Sequence, residues 1–171
     1  MRYCEQCGTP LEDRELAHEG QVPFCPRCGE YRFSMYNVAV SMIVLNEENG
    51  KLLAVKQYGK DYYRLVAGYV NRAESLEHAA VRELKEETGL TARRLRFNRT
   101  RFFEPSNTLM CNFTAFVEDD RALSPNYEID SWAWFTFDEA RRNVDPERLA
   151  GKFMHAFLDE AEADGASSGT R

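Results

Sequence analysis

No apolar run in this chain approaches the ~18 residues that a membrane-crossing helix needs, so no transmembrane helix is expected. The first residues, MRYCEQCGTP, carry no apolar core of the kind that marks a secretory signal. A cytoplasmic protein is the expectation. Positive charge is also short: 22 Lys and Arg stand against 28 Asp and Glu, for a net charge of −6 over 171 residues. General coating of nucleic acid needs a basic surface, and so does adhesion to anionic membranes; neither is expected as the main role. Cysteine is scarce, and four of the five fall in two matching pairs. Internal repeats are missing apart from those pairs. What is present is globular composition, 43% hydrophobic and 29% charged, in a length that fits one ordinary domain plus something small.

The paired cysteines are Cys4-x-x-Cys7-Gly8 and Cys25-x-x-Cys28-Gly29, 17 residues apart. Two C-x2-C knuckles at that spacing predict a four-thiolate zinc site. Disulfides would need a secretory context, and a redox pair would not need a duplicate or the segment between, which is expected to be poor in strand. Residues 1–34 are therefore expected to form a small zinc ribbon whose folding energy comes from the metal. Its arginines are offset by acidic residues, which favours a structural or dimer-forming role over nucleic-acid binding. Cys111, the cysteine outside the ribbon, lies in the apolar stretch TLMCNFTAFV and is expected to be a buried apolar group rather than a nucleophile.

Beyond the ribbon, residues 35–162 alternate strand and helix signals. Tyr36–Leu45 and Lys51–Gln57 flank turn chemistry and predict a hairpin. Tyr63–Val70, Arg93–Phe103, Thr108–Val117 and Trp132–Phe137 predict further strands. Asp138–Arg142 predicts a short helix. Pro146–Glu162 predicts a longer one, with Leu149, Phe153, Phe157 and Leu158 on its core face and His155 without a functional role. Residues 163–171 are Gly/Ser-rich and are expected to be a disordered tail. The expected class is α/β: a mixed sheet covered by helices.

The most informative stretch is Gly68–Leu90, GYVNRAESLEHAAVRELKEETGL. Leu76, Ala80 and Leu84 recur at helical spacing, with Val81 beside them. Ser75 suits an N-cap with His78 at N3, and Gly89 suits the C-terminal stop. Glu83, Glu86 and Glu87 then share one face at i, i+3, i+4. Such a cluster is either a solvated acidic face or a site for a hard cation that prefers carboxylate oxygens. Arg82 is placed to reach Glu86 at i+4.

The same stretch resembles the Nudix box, G-x5-E-x7-R-E-U-x-E-E-x-G-U, in which U is a bulky aliphatic; all nine specified positions over 23 residues agree. The resemblance implies a Nudix α/β/α sandwich and a pyrophosphohydrolase that uses Mg²⁺ or Mn²⁺ on a nucleoside diphosphate linked to another group. It implies Glu86 and Glu87 as metal ligands, Glu83 as ligand or general base, Arg82 as their organiser, Glu74 as a buttress and Gly68 as the turn into the loop. Members often recruit one more acid from outside the box. Glu128 is the candidate here and Asp130 the fallback, with an ordinary loop carboxylate as the alternative. Tyr69 is placed either to stack on a purine or nicotinamide ring or to pack in the core.

A four-cysteine ribbon ahead of such a domain is similar to the NADH pyrophosphatase group. Those enzymes cleave NAD(H) to nicotinamide mononucleotide and AMP, some remove NAD caps from RNA, and they are commonly dimers. The resemblance implies a nucleotide substrate, capped RNA ends as the one expected nucleic-acid partner, and a homodimer. Larger members carry a further N-terminal domain, whereas this sequence starts at the ribbon. They also carry Ser-Gln-Pro-Trp-Pro-Phe-Pro-x-Ser before a Leu-Met pair. Here Arg101-Phe102-Phe103-Glu104-Pro105-Ser106-Asn107-Thr108 precedes Leu109-Met110. NAD(H)-like dinucleotides are the expected substrates; ADP-ribose or another nucleoside diphosphate derivative stays open. A non-catalytic ligand- or RNA-binding adaptor is disfavoured by the complete set of box glutamates.

Overall fold

A computed structural model describes residues 2–168, with side chains to residue 164. The chain divides into two compact units, Met1–Tyr36 and Asn37–Arg171.

The first unit holds three antiparallel strands in the order β1 (Glu12–Leu16), β2 (Gly20–Cys25), β3 (Glu30–Tyr31). The segment between the knuckles is thus a hairpin, where little strand was expected. Its first strand, EDREL, is exposed along most of its length, so no apolar alternation announces it. Among the described residues, Cys4, Val22 and Cys25 are the buried apolar residues of this unit. Two of those three are thiols, so little apolar area is available to hold the strands together.

The second unit is built on β4 (Asn37–Asn46), VAVSMIVL flanked by asparagines. Its near-continuous apolar run marks a strand covered on both faces. Along one edge β4 pairs in parallel with β8 (Thr108–Val117), which pairs antiparallel with β7 (Arg94–Phe103). The other edge is split. Ala39–Met42 pair with β6 (Val66–Tyr69), and Val44–Leu45 pair with β5 (Leu52–Gln57), which carries β9 (Ile129–Phe135) outside it. The sheet order is β7-β8-β4-β5-β9, with β6 on the split edge.

Side-chain alternation divides the core in two. Val40, Met42 and Val44 face α1 (Leu76–Thr88) through Ala79, Ala80 and Leu84. Ala39 and Ile43 face the other way, onto Phe153, Met154, Phe157 and Leu158 of α3 (Leu149–Ser168) and Ala140 of α2 (Phe137–Asn143). This is the expected α/β/α sandwich with a mixed sheet. Val81 is the exception on α1, since it is exposed rather than beside the core residues.

Two boundaries differ from expectation on α3. It starts at Leu149 rather than Pro146 because the preceding loop folds over the first turn: a Cβ on Gly151 would stand 1.8 Å from the Asp145 carbonyl. It runs on to Ser168, into the stretch expected as a tail from 163; residues 169–171 of that expected tail lie outside the described residues. Ala161 and Ala163 are strong helix formers around the start of that stretch. Among the described residues, no helix is long and apolar enough to cross a membrane.

Candidate active site

Helix α1 is set at both ends by its own sequence. The Ser75 side chain accepts from the His78 amide at the N-cap, and Gly89, at φ 73°, closes the C-terminus. Arg82, Glu83, Glu86 and Glu87 are thereby presented on the end nearest β6. Arg82 is the hub. Its Nε and Nη2 donate to the two oxygens of Glu74 at 2.8 and 2.9 Å, a bidentate pair. Its Nη1 donates to Glu83 at 2.7 Å and to Glu86 at 3.1 Å, and Nη2 also reaches the Tyr69 carbonyl at 3.1 Å. The expected Arg82–Glu86 contact is one of several. Glu74 also accepts the Asn71 amide, and these bonds, Arg82 first, hold its carboxyl down at about 2.

Gly68 is required by what lies against it. A Cβ there would stand 1.9 Å from the Glu83 carboxyl carbon. Any side chain at 68 would push Glu83 away, so the box glycine seats this glutamate as well as turning the chain.

Glu87 is only 4% exposed. Gln57, at the end of β5, donates to its Oε2 at 2.9 Å. Burial, then the charges of Glu83 and Glu128, push its carboxyl up to about 8. Glu128 is brought in by the loop before β9, where the Tyr58 hydroxyl donates to its Oε2. That bond pushes the Tyr58 phenol up to about 12. Glu83, Glu87, Glu128 and Tyr69 line one cavity of about 480 Å³. Tyr69 is 57% exposed there, so it is not core packing. Asp130 instead accepts the Gly59 amide at 2.7 Å and is not among the residues lining the cavity. Glu86, with its side chain 57% exposed, is turned to Arg82 and does not line it either.

Gln57 and Tyr58 were not among the expected site residues. A glutamine closing an apolar strand is a weak signal, and their partners are 30 and 70 residues away.

The donor set fits a hard divalent ion. It is all oxygen, and Glu87 is a buried carboxylate whose charge is opposed by two others. Among the described residues, only the four cysteines place three or more ligand atoms within 4.8 Å of one another. The box glutamates do not form such a cage. They fit an ion such as Mg²⁺, which keeps several waters and takes one or two carboxylates plus substrate phosphate.

The cysteines fit zinc directly. Cys4 and Cys28 sulfurs are 3.9 Å apart, and Cys7 and Cys25 are 3.5 Å apart. Tetrahedral Zn–S bonds of about 2.3 Å place sulfurs roughly 3.8 Å apart. The Cys28 amide donates to Cys25 and Arg32 Nε to Cys4, both at 3.4 Å, which favours thiolates. Cys111 lies deep in the α1-side core, where burial pushes its thiol up and leaves it unreactive.

The NUDIX domain family matches residues 35–157. The chain belongs to this family. It is 30% identical over 139 residues to a protein of Pseudomonas aeruginosa named NAD-capped RNA hydrolase NudC, covering 80% of this chain and 48% of that one. A protein of the same name from Haemophilus influenzae is 27% identical over 172 residues, covering 95% and 62%. The chain thus spans about half to three-fifths of the length of these relatives. A crystal structure of a NUDIX hydrolase from Nitrosomonas europaea aligns with a TM-score of 0.64 at 22% identity, over 95% of this chain and 93% of the other. The NUDIX domain of Shewanella oneidensis NrtR, crystallised with ADP ribose, aligns at 0.60 and 16% identity, over 82% and 93%. At those identities the two structures show the fold alone.

Proposed function

We propose that the chain hydrolyses the diphosphate of NAD(H)-like dinucleotides, giving two mononucleotides, with Mg²⁺ or Mn²⁺ held by Glu83 and Glu87, joined by Glu86 once its carboxylate leaves Arg82, and structural Zn²⁺ in residues 1–34. The observation that carries it is the cavity that Glu83, Glu87 and Glu128 line together with the exposed Tyr69. Similarity to proteins named NAD-capped RNA hydrolase supports the dinucleotide and extends it to capped RNA ends. Five thiols without disulfides suit a reducing, cytoplasmic setting.

A divalent ion supplies charge neutralisation for the diphosphate and for the leaving phosphate. The protein does the rest. Tyr69 offers its ring to the base or nicotinamide. Arg82 and Glu74 hold the end of α1 so that Glu83 stays seated against Gly68. Gln57 fixes the Glu87 carboxyl in the buried wall. Tyr58 occupies one oxygen of Glu128 and leaves the other free to take the proton of the attacking water. Water oxygen bonds to one phosphorus, the bridging P–O bond breaks, and the second mononucleotide leaves.

The test is a panel of NADH, ADP-ribose, dinucleoside polyphosphates and nucleotide sugars with Mg²⁺ or Mn²⁺. NADH should give nicotinamide mononucleotide and AMP. Preference for ADP-ribose would move the substrate while keeping the reaction; no turnover of any member would leave a binding adaptor. Glu87→Gln should cut turnover by roughly 10²–10³-fold with the melting temperature kept or raised, since burial and the charges of Glu83 and Glu128 already disfavour an ionised carboxyl at this position.

A further inference from the structure

Beside the glutamate cavity the second unit holds another, of about 590 Å³. The two share Ala67, Phe103, Met110 and Leu149 as a common wall. Its floor is the sheet at Ser41. The Ser41 hydroxyl oxygen accepts from Asn112 Nδ2 at 2.8 Å, which leaves its own hydrogen to donate elsewhere. Its walls are the 62–65 segment, the end of β7 and the start of α3.

Those walls bring together four cations: Arg64, Arg101, Arg148 and Lys152. Arg148 pairs with Asp145 at 3.1 Å and lies 3.7 Å above the Tyr62 ring. Arg64 flanks the same ring at 4.8 Å, and its Nε is buried without a hydrogen-bond partner. Arg64, Arg101 and Lys152 form no ion pair among the described residues. Glu147 is the one acid on the lining. Leu149 and Ala150, the first residues of α3, line it too, so helix-start amides without intrahelical partners stand at its edge.

Three cations without an acidic partner, of which Arg64 donates through Nη2 to the Tyr62 hydroxyl, repel one another in one concavity, and they do so in a chain of net charge −6. The scissile diphosphate does not account for them. Its charge is met in the neighbouring cavity by the divalent ions of the proposed function. These cations answer a different anion, one close enough to share a wall with the first. Two guanidinium forks, an ammonium and a helix start are the recognition set for phosphate. The Arg101–Asn107 segment, where the chain departs from the pattern of the NADH pyrophosphatase group, lies on both cavities, through Arg101 and Phe103 on one and Phe103 and Ser106 on the other.

We propose that this second cavity binds a phosphate carried on the ribose of the nucleotide, in addition to the scissile diphosphate, so that the preferred substrates are ribose-phosphorylated dinucleotides. This rests on the NAD-like assignment for the scissile bond, but the subsite is testable without it. Adenosine 2′,5′-bisphosphate, adenosine 3′,5′-bisphosphate and AMP are titrated by calorimetry into the full chain without divalent metal. At least one bisphosphate should bind about tenfold or more tightly than AMP. A gain for the 2′ isomer assigns a phosphomonoester such as that of NADPH; a gain for the 3′ isomer assigns the linkage of a 3′-extended chain. The double variant Arg101→Gln/Lys152→Gln, at two exposed positions, should lose most of that gain while its melting temperature stays with the wild type. Equal binding of all three ligands, or a gain that survives the double variant, overturns the proposal. The ratio of kcat/KM for NADPH over NADH reads the same subsite in turnover and should fall in the variant. Bisphosphate discrimination with no turnover of either dinucleotide would sink the hydrolase assignment and leave the subsite standing. Turnover without discrimination would do the reverse.

Discussion

The two units use charge-binding groups in opposite ways. In the first unit the four thiols cluster together, and among the described residues Val22 is the one buried apolar residue apart from two of them. In the second unit, two apolar clusters fill both faces of the sheet, and the acidic groups gather at one edge where α1 ends. On the proposed function, the ribbon would need an ion to have a core, whereas the sandwich has its core already and would need one only for chemistry. A metal therefore ought to be a folding ligand in the first unit and a reactant-site ligand in the second.

The largest effect that would break this contrast is metal removal. A strong chelator should unfold the ribbon, since structural zinc contributes about 10–16 kcal/mol of apparent binding energy in small zinc modules. Amide NMR signals of residues 2–36 should collapse to random-coil positions, while those of residues 37–164 keep their dispersion. A ribbon that stays folded after zinc loss would contradict a thiol-centred core. Leu84→Ala does the complementary experiment. Leu84 is fully buried on the α1 face, and its truncation should cost about 2–5 kcal/mol, read as a lower melting midpoint for the second unit alone. If the ribbon signals shifted as much, the two cores would not be separate.

Gly68→Ala comes next, because it changes geometry and not charge. The new methyl meets the Glu83 carboxyl at a distance no real contact tolerates, so Glu83 must leave its seat. Turnover should fall by about 10²-fold with little change in melting temperature, the size expected for a misplacement near 1 Å. Wild-type turnover in this variant would show that Glu83 does not act from where it is seen.

How far these features could be anticipated follows the range of the interactions behind them. Helix α1 was legible because its cap, its apolar face and its stop are all local: Ser75, Leu76, Ala80, Leu84 and Gly89 lie within one stretch. The zinc knuckles were legible for the same reason. The ribbon hairpin was not, since EDREL has no apolar face to alternate. Gln57 and Tyr58 were missed because their role depends on pairing between β5 and the loop before β9. The cation-lined cavity draws on segments near residues 41, 64, 101 and 150, and no spacing rule connects them. Glu86 shows the converse. Its place on the helix face was legible, but Arg82 turns its carboxylate away from the cavity.

The smallest effect tests whether the Arg82 hub stabilises the fold or only orders the site. Glu74 has its carboxyl lowered from 4.5 to about 2, chiefly by Arg82 and then by the Asn71 amide. A group lowered on folding contributes stability that is fully present above its unfolded value and is lost as pH falls through its folded value. The contribution should therefore be intact at pH 6 and fade between about 4.5 and 2. Glu74→Gln lacks the charge at every pH. Its melting temperature should lie below that of the wild type at pH 6, and the gap should close as pH approaches 2. A gap that stays constant across that window would mean that Glu74 supports the loop by shape and hydrogen bonding alone. The Arg82–Glu74 pair would then belong to the ordering of the site and not to the stability of the sandwich.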